Sequence, residues 1–180
     1  MRREPAAPAG DVDSGRSVSR YRATAATLAR MQRRALQFNN FAELKADLNR
    51  LRGVSYQRAG SWSLAQVCEH MARVMTMSMD GFGDMRVPWY IRVAGPLMKR
   101  VVLKRGKMPA GVRGPKEMMP ADSTADDGRQ LDDFLAAIER YERFDQPLQP
   151  SPLFGPTTRE EWDRVHLIHA AHHLSFIVPD

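Results

Sequence analysis

Four of the five histidines in this chain stand within eight residues of one another, in the stretch TTREEWDRVHLIHAAHHLSFI over 157–177. That clustering restricts the fold more than any other feature. The stretch is expected to be the last helix: Thr157 or Thr158 caps it, Glu160 or Glu161 closes a capping box, and Asp163 complements the dipole. At about 100° per residue, His166, His169 and His173 fall within roughly 60° of each other, and His172 points about 100° away from His173. Trp162, Phe176 and Ile177 share the arc of the three, so this is a half-apolar face of the kind a helix turns toward a core. A buried imidazole without a partner costs on the order of 1 to 3 kcal/mol. Three on one face therefore require a hydrogen-bond network or a shared ion.

The remaining histidine, His70, lies on a second helix, expected over about Leu64 to Asp80. Ser63 with Gln66 makes its capping box, Trp62 and Val67 stand at the positions of a hydrophobic staple, and Leu64, Val67, Met71, Val74 and Met75 form a core stripe. His70 sits at the edge of that stripe and can look inward. Two further amphipathic helices are expected. The first runs over about Asn40 to Arg52, with Asn40 and Glu43 at its start and Gly53 at its stop. The other runs over about Asp127 to Phe144, with Leu131, Phe134, Leu135, Ile138 and Tyr141 on its core face. No strand pattern of comparable quality occurs. The expectation is an all-α four-helix bundle over 36–180, with an irregular, basic connection between its second and third helices in which Trp89 to Leu103 is a helix broken at Pro96.

Charge is unevenly placed along the 180 residues, and its placement bears on partners. Residues 1–35 hold eight Arg against three acids, residues 86–116 hold nine Lys or Arg and no acid, and the rest holds ten bases against eighteen acids. The body of the domain is thus acidic with two basic appendages, unlike a nucleic-acid-binding fold with basic and aromatic residues spread over one face. Residues 1–35, poor in large apolar side chains, are expected to be a disordered basic tail, although Ala23 to Gln37 has the propensity to continue as helix. The basic connection is read as a solvated rim, or alternatively as a lid that attracts anions to a nearby site. No apolar run approaches the roughly 20 residues of a membrane span, so no membrane partner is expected. No apolar region follows MRREP, and the single cysteine, Cys68, excludes a disulfide framework, so a cytoplasmic location is expected.

His169 is paired with His173 at i, i+4 and with His166 at i, i−3, and both spacings suit two metal ligands on one helix. The spacing leaves the choice open. His70 is the only other histidine that can complete a three-imidazole site, which would leave a position for water or substrate as catalytic sites do. Cys68 lies about 160° from His70 around the helix and reads as a small buried apolar residue, and Met71, Met75, Met77 and Met79 read as adaptable packing.

WSLAQVCEHMARVMTMSMDGF and LFGPTTREEWDRVHLIHAAHHLSF resemble a bacterial branch, itself of unknown function, of the DinB-like (DinB/YfiT-like) superfamily, over about Arg33 to Ile177. The resemblance implies a four-helix bundle that binds a divalent ion through one histidine of the second helix and an HxxxH pair of the last; imidazole ligands suit zinc, nickel, iron or copper, and zinc or nickel is expected. Carried onto this chain, those ligands are His70, His169 and His173. His166 then becomes a neighbour of the site and His172 a surface or helix-contact residue. Where many relatives have Gln three residues after the final ligand, this chain has Phe176. Some superfamily members are metal-dependent thiol S-transferases or isomerases, so the resemblance implies a low-molecular-weight thiol or an electrophile as substrate. The competing expectations are a metal-dependent hydrolase and a non-catalytic, metal-binding or stress-associated bundle in which the ion contributes stability, with a homodimer as the expected partner state.

Overall fold

Two N-terminal turns show how directly this sequence writes its helices. Ser63 and Gln66 form a reciprocal capping box at the start of one helix, and Thr158 and Glu161 form another at the start of the last. The computed structural model describes residues 32–109, 114–121 and 126–180. Among them are five α-helices: α1 (Phe41–Leu51), α2 (Leu64–Asp80), α3 (Trp89–Arg105), α4 (Asp127–Arg143) and α5 (Arg159–Leu174). A 3₁₀ turn covers Lys116–Met118, and two short strands, β1 (Tyr56–Arg58) and β2 (Ile177–Pro179), form an antiparallel ladder with Gln57 opposite Val178. The described residues are mostly helical, as expected.

The core lies where the apolar stripes of α1, α2, α4 and α5 meet. Leu44 and Leu48, Met71 and Met75, Phe134 and Ile138, and Leu174 are all sealed from solvent. Helix α2 runs along α4 and also touches α5, and α1 touches both α4 and α5. Cys68 is buried in this core and its thiol is pushed up to about 12, chiefly by burial, so it is an inert packing group.

Three features depart from expectation. Helix α3 runs unbroken through Pro96: the proline lies on the exposed side, while Gly95 faces inward against the chain at Leu153, where an added Cβ would stand 2.0 Å from the Leu153 carbonyl oxygen. The expected polar link 57–61 contributes to β1, and the last helix stops at Leu174 rather than Ile177. The stop has a cause in hydrogen bonding: the carbonyls of Ser175 and Phe176 accept from the Arg34 and Ala59 N–H groups, and fully buried Ile177 begins β2. Finally, residues 32–38 are irregular rather than helical, and the stretch is tied down by Arg34, whose guanidinium forks onto Asp47 of α1 at 2.9 and 2.7 Å. The rest of the expected tail lies outside the described residues.

Candidate metal centre

The β ladder sets the entrance of α2. Tyr56 of β1 accepts a hydrogen bond from the Leu64 N–H and donates to Asp127, whose other oxygen accepts from the Ala65 N–H. One carboxylate at the start of α4 thereby satisfies a free donor at the start of α2. Two turns along α2 is His70, one residue out of the core stripe and buried at 5% exposure.

On α5, His169 and His173 stand one turn apart and half-buried. The Nε2 of His169 lies 3.2 Å from the Nε2 of His70 and 2.9 Å from that of His173, and one ligand atom from each of the three falls within 4.8 Å of the others. In a tetrahedral zinc site with bonds of about 2.0–2.1 Å, ligand nitrogens stand about 3.3 Å apart. Helix α2 has supplied one imidazole and α5 two. His166 is not among them, and His172 packs edge-on against His173 and Phe176.

The protonation of the trio follows from its neighbours. The Nδ1 of His70 lies 2.6 Å from the carbonyl oxygen of Met118, which can only accept, so Nδ1 carries the proton and donates. The Nε2 of His70 is then a lone pair aimed at its two partners. His169 Nε2 has one site, either a lone pair or an N–H, and faces two ring nitrogens at once. Hydrogen bonds among neutral rings can satisfy one of those contacts and leave the other unmade. A cation at the convergence satisfies all three lone pairs, so the donor set fits a divalent ion better than it fits itself. Burial is the largest cause that lowers the pKa of each ring: His70 falls below the ordinary histidine value, His173 to about 2, and His169 well below it, with further lowering from His173 and His70. All three are neutral near pH 7, the state in which imidazole binds metal.

The Met118 carbonyl is itself held in place by α2. Arg73 donates to the carbonyl of Met119, Glu69 accepts from the N–H of Ala121 and pairs with Arg73, and the side-chain amide of Gln66 reaches the Ala121 carbonyl. The stretch Met118 to Ala121, just beyond the basic segment, is thus a support for His70. Trp62 forms a wall of the trio, stacked on His173 with ring centroids 5.0 Å apart and tilted against His70 at the same distance. The sequence offered Trp62 only as a staple residue, and a backbone carbonyl such as that of Met118 carries no residue-type signal.

His166 occupies a separate position in the core. Ser78 donates its hydroxyl to the Met75 carbonyl, so it accepts from His166 Nε2–H at 3.1 Å. The His166 ring stacks on Trp162 and meets the edge of Tyr141, and its Nδ1 has no partner among the described residues. Burial lowers its pKa to about 3. Phe176 lies beside His172, under the Arg33 guanidinium at 4.0 Å.

A sequence profile of the family described as a protein of unknown function (DUF1569) matches residues 30–180. The chain belongs to the DUF1569 family. The match spans every element of the structure, so the trio and its supports all lie within the DUF1569 region. Searches of curated proteins and of solved structures give no match to this DUF1569 chain.

Proposed function

We propose that this DUF1569 protein is a metal-dependent enzyme of the DinB-like type, in which α1, α2, α4 and α5 are the four-helix bundle, 36–180 is the domain, and His70, His169 and His173 hold a divalent ion, zinc or nickel. The observation that carries this reading is the convergence of three neutral imidazole nitrogens, 3.2 and 2.9 Å apart along the chain of contacts, with His70 locked as the Nδ1–H tautomer by Met118. The sequence alternative to His173, a pairing of His166 with His169, is disfavoured by the engagement of His166 with Ser78.

His70, His169 and His173 would hold the ion, which when bound would supply a nucleophile at neutral pH by lowering the pKa of a thiol or water beside it. The group of potential ligands found among the described residues contains three histidines and no fourth, and the half-buried state of His169 and His173 leaves the site reachable from solvent. Both favour turnover over a closed structural site. Met118 and the Gln66, Glu69 and Arg73 side chains keep His70 oriented, and Trp62 restricts the approach on one side. The reaction proposed is transfer of a low-molecular-weight thiol to an electrophile, with hydrolysis as the variant in which water takes the thiol's place.

The test is metal content after purification without chelator or nickel resin. One equivalent in wild type, lost in His70→Ala, His169→Ala and His173→Ala while helicity is kept, is the expected result, followed by turnover when thiols are screened against electrophiles. A wild type that takes up neither zinc nor nickel would refute the metal site. Metal uptake without turnover of any thiol or ester would leave the non-catalytic bundle as the function.

A further inference from the structure

Among the described residues, most of the exposed large apolar side chains stand on the outward face of α3. Trp89 is 75% exposed, Val93 73%, Leu97 66% and Tyr90 59%, with Val101 also exposed. On a wheel of about 100° per residue these side chains share one arc, and the only others on it are Arg100 and Lys104. No acid occurs anywhere in 86–116. The inward face holds the helix to the body: Gly95 abuts Leu153, Val102 is buried, and Lys99 reaches inward to the Pro156 carbonyl and to Glu161 at 2.6 Å. Beside the helix an open groove of about 910 Å³ runs between Trp89, Val93, Pro96 and Pro152, with Arg86 and Arg92 on its edge.

We propose that α3 is a surface-lying membrane anchor, docking this domain on an anionic lipid bilayer with Trp89, Tyr90, Val93 and Leu97 in the headgroup–acyl boundary and Arg100 and Lys104 on the phosphates. Charge complementarity selects this occupant. A second copy of the same face would bring cations against apolar groups and supply no counter-charge, and a nucleic acid would leave the aliphatic Val93 and Leu97 against phosphate and sugar. A bilayer interface takes both halves: indole and phenol rings settle at headgroup depth, aliphatic side chains below them, and long basic side chains snorkel to the lipid anions. The expectation of no membrane partner rested on the length a span needs. A helix lying in the interface plane is a different mode of binding, with no such requirement.

The experiment is sedimentation of the full-length protein with vesicles of equal parts phosphatidylglycerol and phosphatidylcholine, against vesicles of phosphatidylcholine alone, with tryptophan emission recorded in parallel. Wild type is expected to partition onto the anionic vesicles with a blue shift that Trp89→Phe removes, since Trp162 is buried and Trp62 lies against the histidines. Arg100→Glu with Lys104→Glu is expected to weaken partitioning by about tenfold or more, and Val93→Ser with Leu97→Ser to weaken it by about tenfold and abolish the shift. All these residues are exposed, and circular dichroism checks that the variants stay folded. Three results would overturn the proposal: equal binding to pure phosphatidylcholine, binding unchanged by both double variants, which would place it on the basic N-terminal residues, or a dimer in solution whose Trp89 emission is already shifted and which ignores vesicles. Tighter binding to a duplex oligonucleotide than to vesicles, lost in the Arg100 and Lys104 variant, would overturn it as well.

Discussion

The neighbours of each histidine, more than its position on a helical wheel, decide what it can do. His169 and His173 share an arc of α5 and His70 stands at the edge of the α2 core stripe, yet it is the Met118 carbonyl that makes His70 a lone-pair donor toward the site. His166 was placed on the same arc of its helix and proves to be a donor to Ser78, committed to the core. Acid should find these rings first. Because burial lowers their folded-state pKa values below the roughly 6.5 of an unfolded histidine, the unfolded chain binds more protons as pH falls, so stability is full above pH 6.5 and declines below it. For His166 the decline continues to about pH 3, where the folded ring also charges. His166→Phe should therefore flatten the fall in urea midpoint between pH 6.5 and 4, and an unchanged slope would show that His166 takes no part. The Arg34 fork on Asp47 is a second residue-level device, mostly screened from solvent on both sides. Asp47→Ala should cost about 2 kcal/mol in urea unfolding, and a double-mutant cycle with Arg34→Met should return a coupling of about 1 kcal/mol or more.

Helix starts were legible and helix ends less so, for a physical reason. A capping box is written in two side chains three residues apart: the box expected from Ser63 and Gln66 is formed, and of the threonines and glutamates that were alternatives for the last helix, Thr158 and Glu161 form it. Ser63→Ala or Thr158→Ala should each cost about 1 kcal/mol in thermal or urea unfolding, and Ser63→Ala should also loosen Trp62, read as a change in tryptophan emission. The stop of α5 depends instead on partners far along the chain, the N–H groups of Arg34 and Ala59, which local composition does not announce. Strands β1 and β2 are three residues each and pair across more than a hundred residues, too short for an alternating pattern to show. In α3 the proline suggested a break, and the helix tolerates it because Pro96 faces out while Gly95 permits the close approach to Leu153. Gly95→Ala should displace α3 from the body at a cost of about 1–3 kcal/mol, with Arg100→Ala on the outward face as the neutral control.

Across the whole molecule, the proposed ion should act as a stabiliser, since it binds three residues that converge only in the folded chain. At a concentration a hundredfold above its dissociation constant it would add about 2.7 kcal/mol, which for a chain of this size raises the melting temperature by about 5–10 °C. Chelator should reverse the shift, and His169→Ala should show none; an equal shift in that variant would locate the metal elsewhere. The division of charge into an acidic body and basic segments was plain from composition. Its consequence was not, because a wheel cannot say which side of α3 is covered until α5 and the 150–156 stretch are packed against it. Helix periodicity, caps and the histidine cluster are local properties, carried by residues within a few turns, and they were enough to give a mostly helical domain with histidines turned inward. Pairing between distant segments was settled by packing: which ring faces Met118, which one Ser78 removes from the site, where α5 stops, and which face of α3 is left open. Each of those outcomes depends on a hydrogen bond or contact whose partner lies elsewhere in the chain, and its free energy exists only once the two segments have been brought together.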